Sequence, residues 1–424
     1  MDRRIFLLLT LAGAADPGGL PPPLGPAPPP PDTRINAPDP TGDSEFDAWR
    51  SRFMVRALAE GLPADVLARE FEGLTPDPRI VSLQTRQPEF AKPLGDYVRG
   101  IVTEDRVAIG RRKLAELDWL PQVERRYGVP AEILLAVWAV ETAFGTVQGD
   151  YDALRSLASL AASGHRTDWA ETQLLAVFQI IADGDATRAQ LRGSWTGALG
   201  QTQFEPTQYL STAVHFAGDG RADIWTSAED SLASAANLLA KAGWRAGELW
   251  AREMVLPEGF DYGLAEGAAQ PLADWARLGL RTADGLAWSR ADAGENAVLL
   301  IPVGAKGPAF LALPNHFVIR SYNNALAYAL AVGLLADRIA GRPPVLAAWP
   351  AETPLSLADR SDAQAALARL GYDAGAADGL IGARTRAALR AWQKAKGLPA
   401  DGYLSIDLVQ RLRAEAGAAA SPPA

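Results

Sequence analysis

Apolar residues recur at helical spacing through most of the chain. In "FDAWRSRFMVRALAEGL", Phe46, Trp49, Phe53 and Ala57 fall on one helix face. "GLP" at Gly61 to Pro63 closes that helix and opens another. Leu94 to Trp119 reads as one long amphipathic helix. "YGVP", Tyr127 to Pro130, is a helix stop with its proline near the next helix start. Helical patterning continues to about Trp250. Between about Met254 and Pro314 it gives way to short strand-like runs, among them "NAVLLIPV" and "PAFLAL", with glycines between them. "ALAYALAVGLLADRIAG" then predicts a buried helix closed by Gly341. The pattern predicts a mainly α fold (α+β): a helical body with a small β element, then a separate helical module.

Breaks in this pattern set the boundaries. The main body is expected over 45–342. "RPP" (Arg342 to Pro344) opens a linker over 343–353. Residues 354–415 stand apart and hold a weak repeat. "AGAADGLIGARTRAAL" and "GLPADGYLSIDLVQRL" share an A-x-D-G turn followed by a leucine-bearing helix. Asp-Gly supplies the turn, since Gly takes positive φ and Asp bonds backbone amides. Leu367, Leu370, Leu380, Leu389, Leu398 and Leu404 read as this module's core, and Trp392 and Tyr372 as core or partly exposed. A disordered tail is expected over 416–424. At the other end, "MDRRIFLLLTLAGAADPG" has two arginines, a short apolar run and an "AGA" cleavage pattern, so 1–15 reads as a signal peptide. The "RRIFLL" run fits a twin-arginine route as well as a general secretory one. "GGLPPPLGPAPPPPD" makes 16–44 a proline-rich linker, because proline stiffens the chain and blocks helix hydrogen bonds.

Composition narrows the function classes. The 424 residues carry a net charge of −9, with no basic footprint for nucleic acid. There is no cysteine, which excludes disulfides, thiol catalysis, Cys-ligated zinc and a lipid anchor on that residue type. The apolar run at Ile5 to Leu11 is far short of the ~20 residues that a membrane span needs, and no other stretch reaches that length. An exported, soluble protein is expected.

Chemistry enters at "AVWAVETAFG", Ala136 to Gly145. Leu134, Val137 and Trp138 share the face of Glu141, and the opposite face is also apolar, so the helix reads as buried all round. A buried carboxylate is costly and its pKa rises. No Lys or Arg lies between Arg126 and Arg155 to offset it locally. A carboxyl of this kind suits a general acid near neutral pH. It equally suits a residue that caps a neighbouring helix or meets a distant arginine. "GSWTGALGQTQFEPTQY", Gly193 to Tyr209, interleaves glycines with Ser194, Gln201, Gln203 and Tyr209. Small residues with neutral amides and hydroxyls suit a sugar, and they also suit a tight helix contact. Glu205 in "QFEP" reads as facing solvent.

These stretches, with "FAGDGRADIW" and "SYNNALAYALAV", stand in the order and spacing of the lytic murein transglycosylase B family, which the chain resembles. "ALARLGYDAGAADGLIGARTRAALRAWQKAKGLPADGYLS" resembles the peptidoglycan-binding domain that accompanies it. The resemblance covers about Phe46 to Leu412. It implies a lysozyme-like catalytic domain and a three-helix binding module. It implies cleavage of the β-1,4 bond between N-acetylmuramic acid and N-acetylglucosamine with a 1,6-anhydromuramyl product. By position it makes Glu141 the single acid/base. Ser194 and Gln203 match residues lining the sugar cleft, Asn323 a cleft asparagine with Tyr322 beside it, and Tyr97 a tyrosine near the carboxylate. The implied partner is the peptidoglycan glycan strand, in the periplasm, with no cofactor, nucleic acid or membrane span. A hydrolytic muramidase and a non-catalytic wall-binding scaffold are the alternatives. Some members of the family bind calcium near "HFAGDGRADIW". Here His215 and Ala217 stand where oxygen ligands belong, and Thr226 stands at the twelfth position, so no metal is expected and Asp219 and Asp223 read as turn residues. His165, His215 and His316 lack zinc spacing and read as structural.

Overall fold

The aromatic positions of the first helices find each other and a later helix. In a computed structural model, α1 (Ser44–Ala59) and α2 (Ala64–Phe71) bring together Phe46, Trp49, Phe53 and Phe71, all buried. Phe71 closes on Phe178, ring centroids 5.1 Å apart. The structure describes residues 38–84, 92–164, 166–216, 218, 220–290 and 292–420. The signal segment 1–15, most of the proline-rich stretch, His165, Asp219 and residues 421–424 lie outside the described residues. The end of the expected N-terminal linker is anchored: Arg50 donates to the carbonyls of Pro38 and Asp39, and Asp43 caps α1.

The long helix expected over Leu94 to Trp119 is in fact two. After α3 (Pro78–Gln84), α4 (Leu94–Ile101) ends at Val102, and α5 (Glu104–Glu116) starts from Thr103, whose hydroxyl accepts the Arg106 N–H. "TED" is an N-cap followed by two first-turn acids, which complement the helix dipole. The periodicity ran through the break and hid it. α6 (Leu120–Tyr127) ends at Gly128, φ 72°, and Pro130 leads into α7 (Ala131–Thr142), as the "YGVP" stop requires.

The body continues through β1 (Tyr151–Asp152), α8 (Ala153–Ala162), α9 (Thr167–Ala182), β2 (Arg192–Gly193), α10 (Pro206–Thr212) and α11 (Ala228–Lys241). β1 and β2 pair antiparallel, Tyr151 opposite Gly193. The small β element expected from the sequence is present. β3 (Ala251–Val255), β4 (Gln270–Pro271), β5 (Arg281–Thr282), β6 (Asn296–Leu300) and β7 (Ala309–Ala312) form an antiparallel sheet in the order β4-β6-β7-β3-β5. α12 (Leu272–Arg277) packs its buried Trp275 into a separate apolar cluster on this sheet with Leu299 and Leu311. β3, "AREMV", lacks clean alternation, which is why the pattern did not find its start. The chain returns through α13 (Pro314–Tyr322) to α14 (Leu326–Ile339), which packs on α7, α4 and α5.

The C-terminal module is α15 (Leu357–Arg369), α16 (Ala383–Ala395) and α17 (Ile406–Ala420) around Leu367, Leu389, Trp392 and Leu412. Two expectations fail here. Leu380 lies in a turn and is exposed. The tail expected from 416 is helical to Ala420, because Leu412 and Ala416 bury themselves in the module core. The stretch expected as a linker is strapped down: Glu253 accepts the N–H groups of Leu346 and Ala347, and Trp349 packs against Phe310. The module docks beside it. Asp401 accepts the Ala305 N–H at 2.8 Å, and Tyr403 donates to Glu352.

One buried trio links α13, α14 and the start of the sheet. Trp250 stacks on His316 at 6.0 Å and donates to Asp337 at 3.1 Å. Burial, with Arg320 nearby, pushes the His316 imidazole down to about 4. Burial raises the Asp337 carboxyl to about 6, against the pull of Arg342. The two groups act oppositely on stability. His316 contributes fully above its unfolded value near 6.5, and that contribution is lost as pH falls towards 4. Asp337 is relieved of an ionisation penalty as pH falls below 6. His316→Phe removes only the first effect and keeps the stack. Between pH 7 and 4, urea unfolding should show the wild type losing about 2–3 kcal/mol relative to the variant; parallel profiles would clear His316 of this role.

Candidate active site

α7 delivers Glu141. Its residues Ile133 to Ala139 are buried on every face, but Val140 and Glu141 reach partly exposed ground in the last turn. The carboxylate is therefore half-buried, not sealed as the sequence indicated. It accepts a 2.6 Å hydrogen bond from the Tyr328 hydroxyl of α14. Tyr322 stacks on Tyr328, planes 11° apart, and donates to the carbonyl of Thr202 at 2.6 Å. Burial first, and then the neighbouring Glu141 carboxylate, hold both phenols well above the ordinary tyrosine range. Both stay neutral and keep their protons to donate. A positive charge does approach this helix from a different element: Lys113 of α5 lies 4.7 Å above the Trp138 ring.

Behind Glu141 the chain turns hard. Ala143, Phe144 and Gly145 all take positive φ, at 49°, 62° and 82°. For Ala and Phe this costs about 1–2 kcal/mol each. The turn lays the chain on the "GQTQ" segment. Thr142 donates to the Gln201 carbonyl at 2.5 Å, and Trp138 donates to the Gln201 side chain at 3.1 Å. A Cβ on Gly145 would sit 2.4 Å from Gln201 Oε1, and one on Gly149 would sit 2.2 Å from the Gly193 carbonyl. Glycine is what lets these strands of chain touch.

The residues singled out in the sequence take the following places. Ser194 sits half-buried beside that contact; its hydroxyl accepts the Ala198 N–H and pairs with Thr196. Gln203, φ 50°, donates to the carbonyls of Gln148 and Gly200, each at 2.9 Å. Asn323 is exposed at the α13–α14 junction and accepts the Ala325 N–H. Tyr97 on α4 is half-buried and lies close enough to Tyr328 to bear on its ionisation. So Glu141, Tyr322 and Tyr97 meet around Tyr328, Gln203 joins them through the Gly200–Thr202 segment, Ser194 shapes the adjoining turn, and Asn323 lies exposed at the end of α13. Glu205, expected to face solvent, is half-buried and accepts from Gln173 at 3.2 Å at the start of α10. Tyr328 was the omission. The signal for it was a lone hydroxyl in the apolar run "ALAYALAVGLL", six residues after Tyr322. Among the described residues no group of three His, Asp or Glu side chains is placed to hold a metal, and no helix is long and apolar enough to cross a membrane.

A half-buried carboxylate that accepts from a neutral phenol, beside a glycine- and amide-rich turn on a helical body, is the candidate active site. Residues 45–337 match the transglycosylase SLT domain and 356–412 a peptidoglycan binding domain. The chain belongs to that transglycosylase family. It is 31% identical over 231 residues to membrane-bound lytic murein transglycosylase B of Escherichia coli K12, which takes in 53% of this chain. The chain spans about 60% of that relative's length. SltB3 of Pseudomonas aeruginosa, solved in complex with NAG-anhNAM-pentapeptide, superposes with TM-score 0.83 at 46% identity over 87% of this chain and all of that one. The Escherichia coli lytic transglycosylase Slt35, solved in complex with calcium, superposes with TM-score 0.60 at 26% identity, covering 69% of this chain and 92% of its own.

Tyr328→Phe removes the donor to Glu141 and leaves the ring stack with Tyr322. Turnover of peptidoglycan should fall roughly 10- to 100-fold, the worth of a hydrogen bond to a charged group, in a protein that still melts cooperatively. Unchanged turnover would mean that the bond does not serve the reaction.

Proposed function

We propose that the protein is a lytic transglycosylase that cleaves the β-1,4 bond between N-acetylmuramic acid and N-acetylglucosamine in peptidoglycan. The observation that carries this is Glu141 itself: one carboxyl at the open end of a sealed helix, held by a phenol that stays neutral. Glycosidases of the common kind set two carboxyl groups across the bond. The other carboxylate near the cleft motif, Glu205, is tied to Gln173 at the start of a helix. One carboxyl suffices if the sugar supplies the rest. Glu141 donates its proton to the glycosidic oxygen as the bond breaks. The muramyl acetamido group stabilises the developing cation, a substrate-assisted route. Glu141, now ionised and steadied by Tyr328, takes the proton of the muramyl 6-hydroxyl. That oxygen closes on the anomeric carbon and yields the 1,6-anhydro ring. No water is consumed.

Ser194, Gln203, Tyr322, Asn323 and Tyr97 are assigned to the groove that holds the glycan. Their neutral amides and hydroxyls match sugar hydroxyls and acetamido groups. The matched SltB3 complexes, with NAG-anhNAM-pentapeptide and NAG-NAM-pentapeptide, support this substrate class. The C-terminal module is assigned to wall binding, which raises the local concentration of glycan at the cleft. With residues 1–15 read as a signal peptide, the place of action is the periplasm.

Mass spectrometry of muropeptides released from purified sacculi tests the reading. The wild type should release 1,6-anhydromuramyl products, and Glu141→Gln should reduce release roughly 10²–10⁴-fold while still sedimenting with the wall. Reducing ends from the wild type would make it a muramidase. Binding by both proteins with release by neither would make it a scaffold.

A further inference from the structure

The "HFAGDGRADIW" loop supports the cleft from behind. The Ile224 carbonyl accepts the Gln201 N–H at 2.8 Å, and the Trp225 carbonyl accepts the side chains of Gln148 and Gln201 at 3.0 and 3.3 Å. Gln201 in turn carries Thr142 and Trp138, the neighbours of Glu141. What closes this loop therefore bears on the position of the acid. A calcium loop of the EF-hand kind is closed by a cation that gathers carboxylate oxygens inside the turn.

The described residues of the loop do not fit a cation. Asp230, the buried carboxylate of the region, has both oxygens engaged by N–H groups: Oδ1 by Phe216 at 2.9 Å, and Oδ2 by Asp223 at 2.9 Å and by Nδ1 of His215 at 3.0 Å. Asp223 turns its oxygens the other way, to the N–H groups of Trp225 and Thr226 and the Thr226 hydroxyl. The His215 ring covers Gly220, where a Cβ would meet its Nε2 at 3.2 Å and its Cδ2 at 3.3 Å. An imidazole thus stands over the glycine of the loop and points a nitrogen at the carboxylate. A cation there would have to displace the ring and two backbone N–H donors.

We propose that His215 closes this loop in place of a metal ion, so that the support of the cleft is independent of calcium. The Nδ1–H of His215 satisfies Asp230, and the ring fills the space over Gly220. The contacts of His215 hold whatever reaction Glu141 carries out. The proposal survives or fails separately from the reaction assigned to Glu141.

The test is thermal unfolding of the full chain, in EGTA and in about 5 mM CaCl2, a concentration above the roughly 10⁻⁴–10⁻³ M dissociation constants of weak extracellular calcium sites. The wild type should melt within about 1 °C in the two buffers. His215→Ala should melt roughly 2–6 °C lower, the effect of leaving a buried carboxylate short of a donor. His215→Asn, which keeps an N–H donor at that position, should recover at least half of the loss. A rise of more than about 3 °C in the wild type with calcium, or a His215→Ala variant as stable as wild type, overturns the proposal.

Discussion

The bond from Tyr328 to Glu141 is the constraint from which the rest can be ordered. A carboxylate at the end of an apolar helix is tolerated only where it keeps a donor and some access to water. α7 meets both needs by staying sealed through Ala139 and opening in its last turn. The donor has to come from another element, and that places α14 across α7. Once α14 is placed, Tyr322 must stack on Tyr328 and reach Thr202, and the "GQTQ" segment is pinned from one side. Thr142 and Trp138 pin it from the other. The positive φ values at Ala143 and Phe144 are the cost of bringing the chain round in so short a space. A looser turn would leave Gln201 without its partners.

Much of this was legible because it is local. The helices of the body announced themselves by period, the "YGVP" stop by its glycine and proline, and the module by two Asp-Gly turns. Glu141 was conspicuous as one charge in "AVWAVETAFG". What stayed hidden was non-local or masked by a competing signal. The amphipathic stripe runs through the α4–α5 junction, so the Thr103 cap was lost within it. β3 pairs on both edges, with β5 and β7, and its side chains do not alternate cleanly. Tyr328 reads as core until the fold shows that it faces a carboxylate 187 positions earlier. Lys113 over Trp138 is of the same kind, a cation supplied by a different helix. Leu380 and Ala416 failed as a pair: one apolar residue sat in a turn, and one small residue found a core at the end of a helix that composition alone marked as a tail.

The strap between body and module changes how two binding surfaces add. A flexible tether gives the second surface an effective concentration that falls with linker length. Here the connecting stretch is held by Glu253, Trp349 and Glu352, and the module is fixed to the sheet side by Asp401. Trp349 also lies against Gly95, two residues before Tyr97, where a Cβ would stand 3.3 Å from it. An added methyl there would press on the Trp349 side chain. The same packing that seats the strap therefore sets the height of α4, and with it the tyrosine that faces Tyr328. A glycan chain engaged by module and cleft together would meet two surfaces at a fixed spacing. The gain from binding both then depends on whether that spacing matches the repeat of the polymer, which linker length would not tune. On this view the proline-rich join acts as part of the body, stiffened so that its carbonyls and rings can be used as contacts.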